Sequence, residues 1–374
     1  MPKGLVGRDG LLLRAARPLL VCPPPETSSS GITPNAHCVR RRLSCRCISR
    51  PRMEWETPMR QAPDAQLAAA IASKAIGCAP AAVRRFTTGA RHYVFDLQFA
   101  ERSPAVVRIG DPSARVEMAG AVYLSHLLRP GGVPLPAILA QDLDAEFPWL
   151  LLERFPGSDL GSVISDLTEE KLDKIASSVA HAQAIAGRTA SAGRYGYAAR
   201  PEHAPNDAWS QVLLANLARS RERIGSAGLF DVGLVDAVRH EVTARRGEID
   251  RIEATPFLHD TTTKNVIVTR EGAFSGIVDV DDLGFGDPRY PAALTLAALM
   301  AYGGPVSYVS AWLRHAGQAD DWLFRLYTTV LLLDLMGEHG NVFNGNETRS
   351  APAVRATMLL ALEYNLDLAC RVQP

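Results

Sequence analysis

The segment that most narrows the folds open to this chain lies between positions 257 and 288. It reads Phe257-Leu-His-Asp-Thr-Thr-Thr-Lys-Asn265, an apolar run Val266-Ile-Val268, a turn at Arg270-Glu-Gly272, a second apolar run Gly276-Ile-Val278, the acidic cluster Asp279-Val-Asp-Asp282 and the turn Gly286-Asp-Pro288. Two short β-branched runs joined by a glycine-bearing turn predict a hairpin. Its carboxylates stand at its ends: Asp260 and Asn265 precede the first strand, and Asp279 follows the second. That spacing suits phosphoryl transfer, in which one carboxylate orients a substrate hydroxyl while an amide oxygen and a second carboxylate hold Mg²⁺ on nucleotide phosphates.

What precedes the hairpin is first strand-rich and then helical. An alanine-rich stretch over 67–76, with Asp64 before it and Gly77 after it, predicts a short helix. Apolar alternation predicts strands at 83–86 and 93–99, joined through Thr87-Thr-Gly-Ala-Arg-His92. The Gly89 of that turn either covers nucleotide phosphates with backbone N–H groups or closes an ordinary hairpin. A third strand, 105–109, carries Arg108, which taken alone also reads as a charge that keeps an edge strand soluble. A helix over 112–128 bears Glu117, and further strands are expected at 134–139 and 149–153 before Pro156-Gly157 turns the chain out of the sheet. Helices are expected at 169–187, 208–226, 232–252, 292–302, 307–315, 322–339 and 353–370. Trp209 and Tyr195-Gly-Tyr197 are either packing residues or the lining of a substrate cleft.

The chain therefore reads as α+β and bilobal, with a small β-rich N-lobe over 53–157 and a larger α-helical C-lobe over 158–374. Glu153-Arg-Phe155 falls at the junction, where backbone N–H and C=O groups can meet an adenine edge.

Charge separates the first 52 residues from the rest. They hold ten Lys or Arg and two acids, which leaves 30 basic and 38 acidic of the 40 and 40 to the remainder. An acidic body argues against nucleic acid as a partner, and no run reaches the ~18 apolar residues of a membrane span. Four of the six cysteines also lie in the first 52 residues. Cys78 and Cys370 alone give the body no disulfide framework, so a reducing, cytoplasmic setting is expected. The stretch 1–52, arginine-rich and marked by Pro23-Pro-Pro25 and Ser28-Ser-Ser30, reads as a disordered or spurious extension with a start near Met53 or Met59, or as a transit peptide.

From about residue 67 onward, and most closely at 257–290, these residues resemble the aminoglycoside phosphotransferase family, the small-molecule branch of the protein-kinase-like fold. The resemblance implies ATP or GTP as phosphate donor, Mg²⁺, and a small-molecule hydroxyl as acceptor, aminoglycosides included. It makes Asp260 the base that accepts the hydroxyl proton, Asn265 and Asp279 the metal ligands, and Asp287 a carboxylate bracing the catalytic loop. Arg108 would be the phosphate-binding cation and Glu117 its partner, with Gly89, Glu153 and Phe155 at the nucleotide. The chain departs from the family's His-Gly-Asp, carrying Leu258-His259-Asp260, and has Arg108 where many relatives have Lys. Lys264 either reaches the γ-phosphate or is a solvated loop lysine. One of Asp281 and Asp282 would assist a second metal or meet a cationic substrate, and Asp334 and Glu338 would face such a substrate. A rival reading is a nucleotide-binding regulator without catalysis, motivated by Arg108 and the displaced His259. Protein phosphorylation is disfavoured, because seven residues between Asp279 and Asp287 leave no room for an activation segment.

Overall fold

Asp64 starts the first described helix in the way its sequence predicts. Its carboxylate accepts from the Leu67 N–H at 2.9 Å, and α1 (Ala65–Ile76) ends where Gly77 takes φ 69°. The computed structural model describes residues 62–86, 92–343, 346–347 and 350–371. The turn with Gly89, and the stretch 1–52 with the expected starts at Met53 and Met59, lie outside the described residues.

After α1 come β1 (Ala82–Arg85), β2 (His92–Gln98), β3 (Ala105–Gly110), α2 (Arg115–Leu128), β4 (Ile138–Asp142) and β5 (Trp149–Glu153). The strands form one antiparallel sheet in the order β1-β2-β3-β5-β4. Alternate residues Phe95, Leu97, Ala105, Val107 and Ile109 point to one face and bury Ala68, Ile71 and Ala72 of α1. Arg108 is therefore no edge-strand device: it lies on the central strand between Val94 and Leu150 and is buried. The strand expected at 134–139 begins at Ile138 instead. Pro134 and Pro136 have no N–H to give to a ladder, and the Pro134 carbonyl accepts from the Ile277 N–H at 2.9 Å.

The larger lobe follows with β6 (Ser158–Asp159), α3 (Glu169–Ala186), β7 (Gly196–Ala198), α4 (Trp209–Ala227), α5 (Gly233–Ala244), α6 (Arg246–Ile249), β8 (Thr255–Leu258), β9 (Val266–Val268), β10 (Phe274–Ile277) and β11 (Leu283–Gly286). It closes with α7 (Tyr290–Tyr302), α8 (Ser307–Ala316), α9 (Trp322–Met336), the short β12 (Val342–Phe343) and β13 (Asn346–Glu347), and α10 (Pro352–Arg371). The helix expected over 232–252 is interrupted at Arg245, whose φ of −103° ends α5. Two small antiparallel sheets, β10-β9-β6 and β7-β11-β8, carry the predicted hairpin on a helical core. Trp209 is a core residue, not part of a cleft wall: it is fully buried, packs edge-on against Tyr290 at 5.2 Å, and donates from Nε1 to the Tyr327 hydroxyl at 2.8 Å. Helix α2 belongs to both lobes, because its Leu124 and Leu128 share a core with Ala182, Leu258, Ile277 and Phe285.

Candidate active site

The loop between β8 and β9 is closed on itself. Thr262 accepts from the N–H groups of Asn265 and Val266 at 2.9 and 3.2 Å through its carbonyl. The Asp260 carboxylate accepts from the Thr262 N–H and hydroxyl at 3.2 and 2.8 Å, both on Oδ1. Asn265 donates from Nδ2 to the Asp260 carbonyl at 3.1 Å, so its amide oxygen is the atom it offers to a ligand.

Gln183 of α3 seats this loop. Its Oε1 accepts from the Leu258 N–H at 2.9 Å, while Nε2 donates to the Leu258 carbonyl at 3.0 Å and to the Thr261 hydroxyl at 2.9 Å. His259, one place later than in the family pattern, packs its ring on Tyr197 at 4.1 Å. Asp287 does not take the loop-bracing part expected of it. Its carboxylate accepts from Arg289 Nε and Nη2 at 3.0 and 2.7 Å and from the Tyr327 hydroxyl at 3.0 Å, which ties the start of α7 to α9.

Asp279 is the one non-glycine residue with positive φ among the described residues, at 64°. Asp tolerates this left-handed region better than most side chains, and such backbone settings concentrate at functional sites. Burial in the cleft, and then the charges of Asp281, Asp260 and Glu117, push its carboxyl above the ordinary value against the pull of Arg108. Since 57 % of the side-chain surface is exposed, the neighbouring charges are the firmer cause. Among the described residues no three His, Cys, Asp or Glu come together as a metal cage. One carboxylate and one amide oxygen in an excess of negative charge fit Mg²⁺, which keeps several waters and takes few protein ligands.

Arg108 reaches this cluster from β3. Its Nη1 donates to Asp281 Oδ1 at 2.7 Å, its Nη2 pairs with Asp281 Oδ2, and Nη1 stands 3.4 Å from Asp279. Burial opposes the charge, but Asp281 and Asp279 override it and raise the guanidinium pKa above its ordinary value. The partner expected from the resemblance was Glu117. The bidentate contact belongs instead to Asp281.

At the lobe junction the Glu153 N–H donates to the Ala137 carbonyl at 2.8 Å, and its carboxylate accepts from the Ala137 N–H at 3.0 Å. One of the backbone groups of Glu153-Arg-Phe155 expected to meet an adenine edge, the Glu153 N–H, is thus already engaged. Glu153 and Phe155 border an open pocket of about 610 Å³ with His126, Arg129, Val133 and Leu135. Arg154 between them donates to the buried Asp96 of β2 at 2.9 Å. Lys264 is exposed and lies 6.0 Å from the centre of the Tyr302 ring, within electrostatic reach of Glu338. Burial, and then Asp334, push the Glu338 carboxyl above its ordinary value. Asp334 is not free to meet a substrate: Arg219 lies 3.1 Å and Arg223 3.8 Å from it.

The structure thus brings Asp260, Asn265, Asp279, Arg108 and Glu117 into one electrostatic neighbourhood, and Glu338 feels the charges of Lys264 and, more weakly, Asp260. Sequence reasoning missed Gln183. The available signal was an amide on the buried stripe of α3 that runs through Leu172, Ile175 and Val179.

The profile of the phosphotransferase enzyme family matches residues 82–326. Among solved structures, an aminoglycoside phosphotransferase APH(4)-Ia aligns with a TM-score of 0.54 at 14% identity, over 82% of this chain and 97% of its own. ADP-bound APH(2'')-Ib gives 0.53 at 12% identity, over 82% and 99%. The streptomycin–ATP ternary complex of APH(2")-IIa gives 0.53 at 13% identity, over 82% and 98%. These likenesses establish the protein-kinase-like fold. By sequence, no curated protein matches the chain.

Proposed function

The chain belongs to the phosphotransferase enzyme family, and from that premise we propose that it moves the γ-phosphate of ATP or GTP to a hydroxyl of a small molecule. The observation that carries this reading is the junction of Asp260, Asn265 and Asp279, two carboxylates and an amide oxygen held on one loop and the adjoining hairpin end. In the step proposed, the acceptor hydroxyl gives its proton to the Asp260 carboxylate as its oxygen bonds to the γ-phosphorus. The bond between the γ-phosphorus and the bridging oxygen breaks, and a nucleoside diphosphate leaves. Thr262 holds one carboxylate oxygen of Asp260, which orients the base. Asn265 and Asp279 would hold Mg²⁺, which when bound supplies positive charge to the phosphate oxygens. Arg108 adds a fixed cation on the N-lobe side, and residues 53–157 and 158–374 act as nucleotide and acceptor lobes.

Glu338, within electrostatic reach of Asp260, would add negative charge on the acceptor side, which suits an alcohol that also carries amines, aminoglycosides among them. The displaced His259, which favoured a regulator without catalysis, loses that force because Gln183 holds the loop. A screen of purified protein with γ-labelled ATP and GTP against aminoglycosides, amino alcohols and sugars tests the reading. It predicts label transfer to at least one acceptor, with a loss of about 10²–10⁴-fold in Asp260→Ala. Transfer that survives this substitution unchanged would refute the assignment.

A further inference from the structure

Resting on the phosphotransfer reading, we propose that Asp281, and not Glu117, is the positioning residue for the Arg108 guanidinium. In this chain the phosphate-binding cation is thereby aligned from the loop that also carries Asp279. Three observations carry this. The guanidinium meets Asp281 through both terminal nitrogens, on a strand and a loop 173 positions apart. Such a fork-to-carboxylate pair fixes the plane of the guanidinium, which a single contact does not. Arg108 is buried, so its charge needs a carboxylate partner, and of the two beside it Asp281 makes the closer, two-pronged contact.

The third observation concerns the helix that bears Glu117. A Cβ at Gly120 of α2 would lie 2.7 Å from the Asp281 carbonyl oxygen and 2.9 Å from Ala199 Cβ. The helix therefore rests directly on the Asp281 segment, and the backbone contact occupies the space between them. His92 also approaches Asp281, with Nε2 at 4.0 Å from Oδ2. The carboxylate thus meets β2 and β3, while the backbone of the same residue meets α2. The pair takes one N–H from each terminal nitrogen of Arg108; Nη1 also stands 3.4 Å from Asp279, and the second N–H of Nη2 is left for a phosphate. A consequence separates this role from metal binding: Asp281 should matter to a nucleotide even when no divalent cation is present.

The test is equilibrium binding of ADP to the full chain, in excess EDTA and again in Mg²⁺, for wild type, Asp281→Asn, Asp281→Glu and Glu117→Gln. Asp281→Asn should weaken ADP binding about tenfold or more in both buffers. Asp281→Glu, with its charge kept and its arm lengthened, should lie between it and wild type, and Glu117→Gln should cost less than either. Melting temperatures check folding, and if Asp281→Asn does not fold, Asp281→Glu carries the comparison with Glu117→Gln. A loss confined to Mg²⁺ buffer would make Asp281 a metal ligand and overturn the inference. So would a Glu117→Gln loss equal to or above that of the Asp281 variants, or wild-type affinity in Asp281→Asn. If the wild-type chain binds GDP and not ADP, the same comparison is made with GDP; a wild-type chain that binds neither would overturn the phosphotransfer reading, and this inference with it.

Discussion

Gln183 shows how much of the site depends on a single amide outside the catalytic loop. Its three hydrogen bonds satisfy both backbone groups of Leu258 and the hydroxyl of Thr261, on either side of Asp260. Gln183→Leu leaves those groups buried without partners, at a cost of roughly 1–3 kcal/mol. It also frees the loop that carries Asp260, the proposed base, and a displacement near 1 Å is enough to slow chemistry by about 10²-fold. The expected outcome is a fall in kcat with nucleotide affinity kept, read by steady-state kinetics beside nucleotide titration; kcat at the wild-type level in a folded Gln183→Leu protein would contradict it. That Asp260, Asn265 and Asp279 come together was legible in the sequence because the hairpin prescribes their spacing. Gln183 was not, because a glutamine near the end of an alanine-rich helix belongs to no motif. The same holds for Asp281: an acid two places after Asp279 was readable, but its pairing with Arg108 depends on a contact across 173 positions.

Among the elements, α2 is the one whose placement most shapes the cleft. Glycine inside an exposed helix usually gains about 1 kcal/mol on replacement by alanine. At Gly120 the added methyl would meet the Asp281 carbonyl and Ala199, two neighbours that are backbone or short side chain and cannot swing away. Gly120→Ala is therefore expected to destabilise the protein by about 1–3 kcal/mol through overpacking and to weaken nucleotide binding by shifting the Asp281 segment. Denaturant unfolding with a nucleotide titration checks this, and a stabilised variant would show that α2 does not rest on the loop. Helix α1 and strands β2, β3 and β5 were readable from a cap and from alternation, which are local signals. The start of β4 was misread because the apolar count at 134–139 hid two prolines that cannot join a ladder, and the break at Arg245 carries no breaker residue of its own.

At the level of the whole molecule, a strand-rich first part and a helix-rich second part were enough to predict two lobes. How the lobes are joined was not. Leu124 and Leu128 of α2 insert into the core of the larger lobe, Arg108 of β3 pairs with Asp281, and Arg154 at the junction is tied to Asp96. Each of these links needs a tertiary contact that no local pattern encodes. Among the described residues no helix is long and apolar enough to cross a membrane. The proposed function rests on a division of labour between two aspartates, in which Asp260 would serve the acceptor hydroxyl and Asp279 the metal and nucleotide. The most direct test measures, on the same purified proteins, Mg²⁺-dependent ATP affinity and the rate of phosphate transfer to an acceptor that the wild type uses. Asp260→Ala should bind Mg²⁺ and ATP as the wild type does while transfer falls by about 10²–10⁴-fold, and Asp279→Ala should lose the Mg²⁺-dependent part of the affinity. Transfer that persists in both variants would contradict the account.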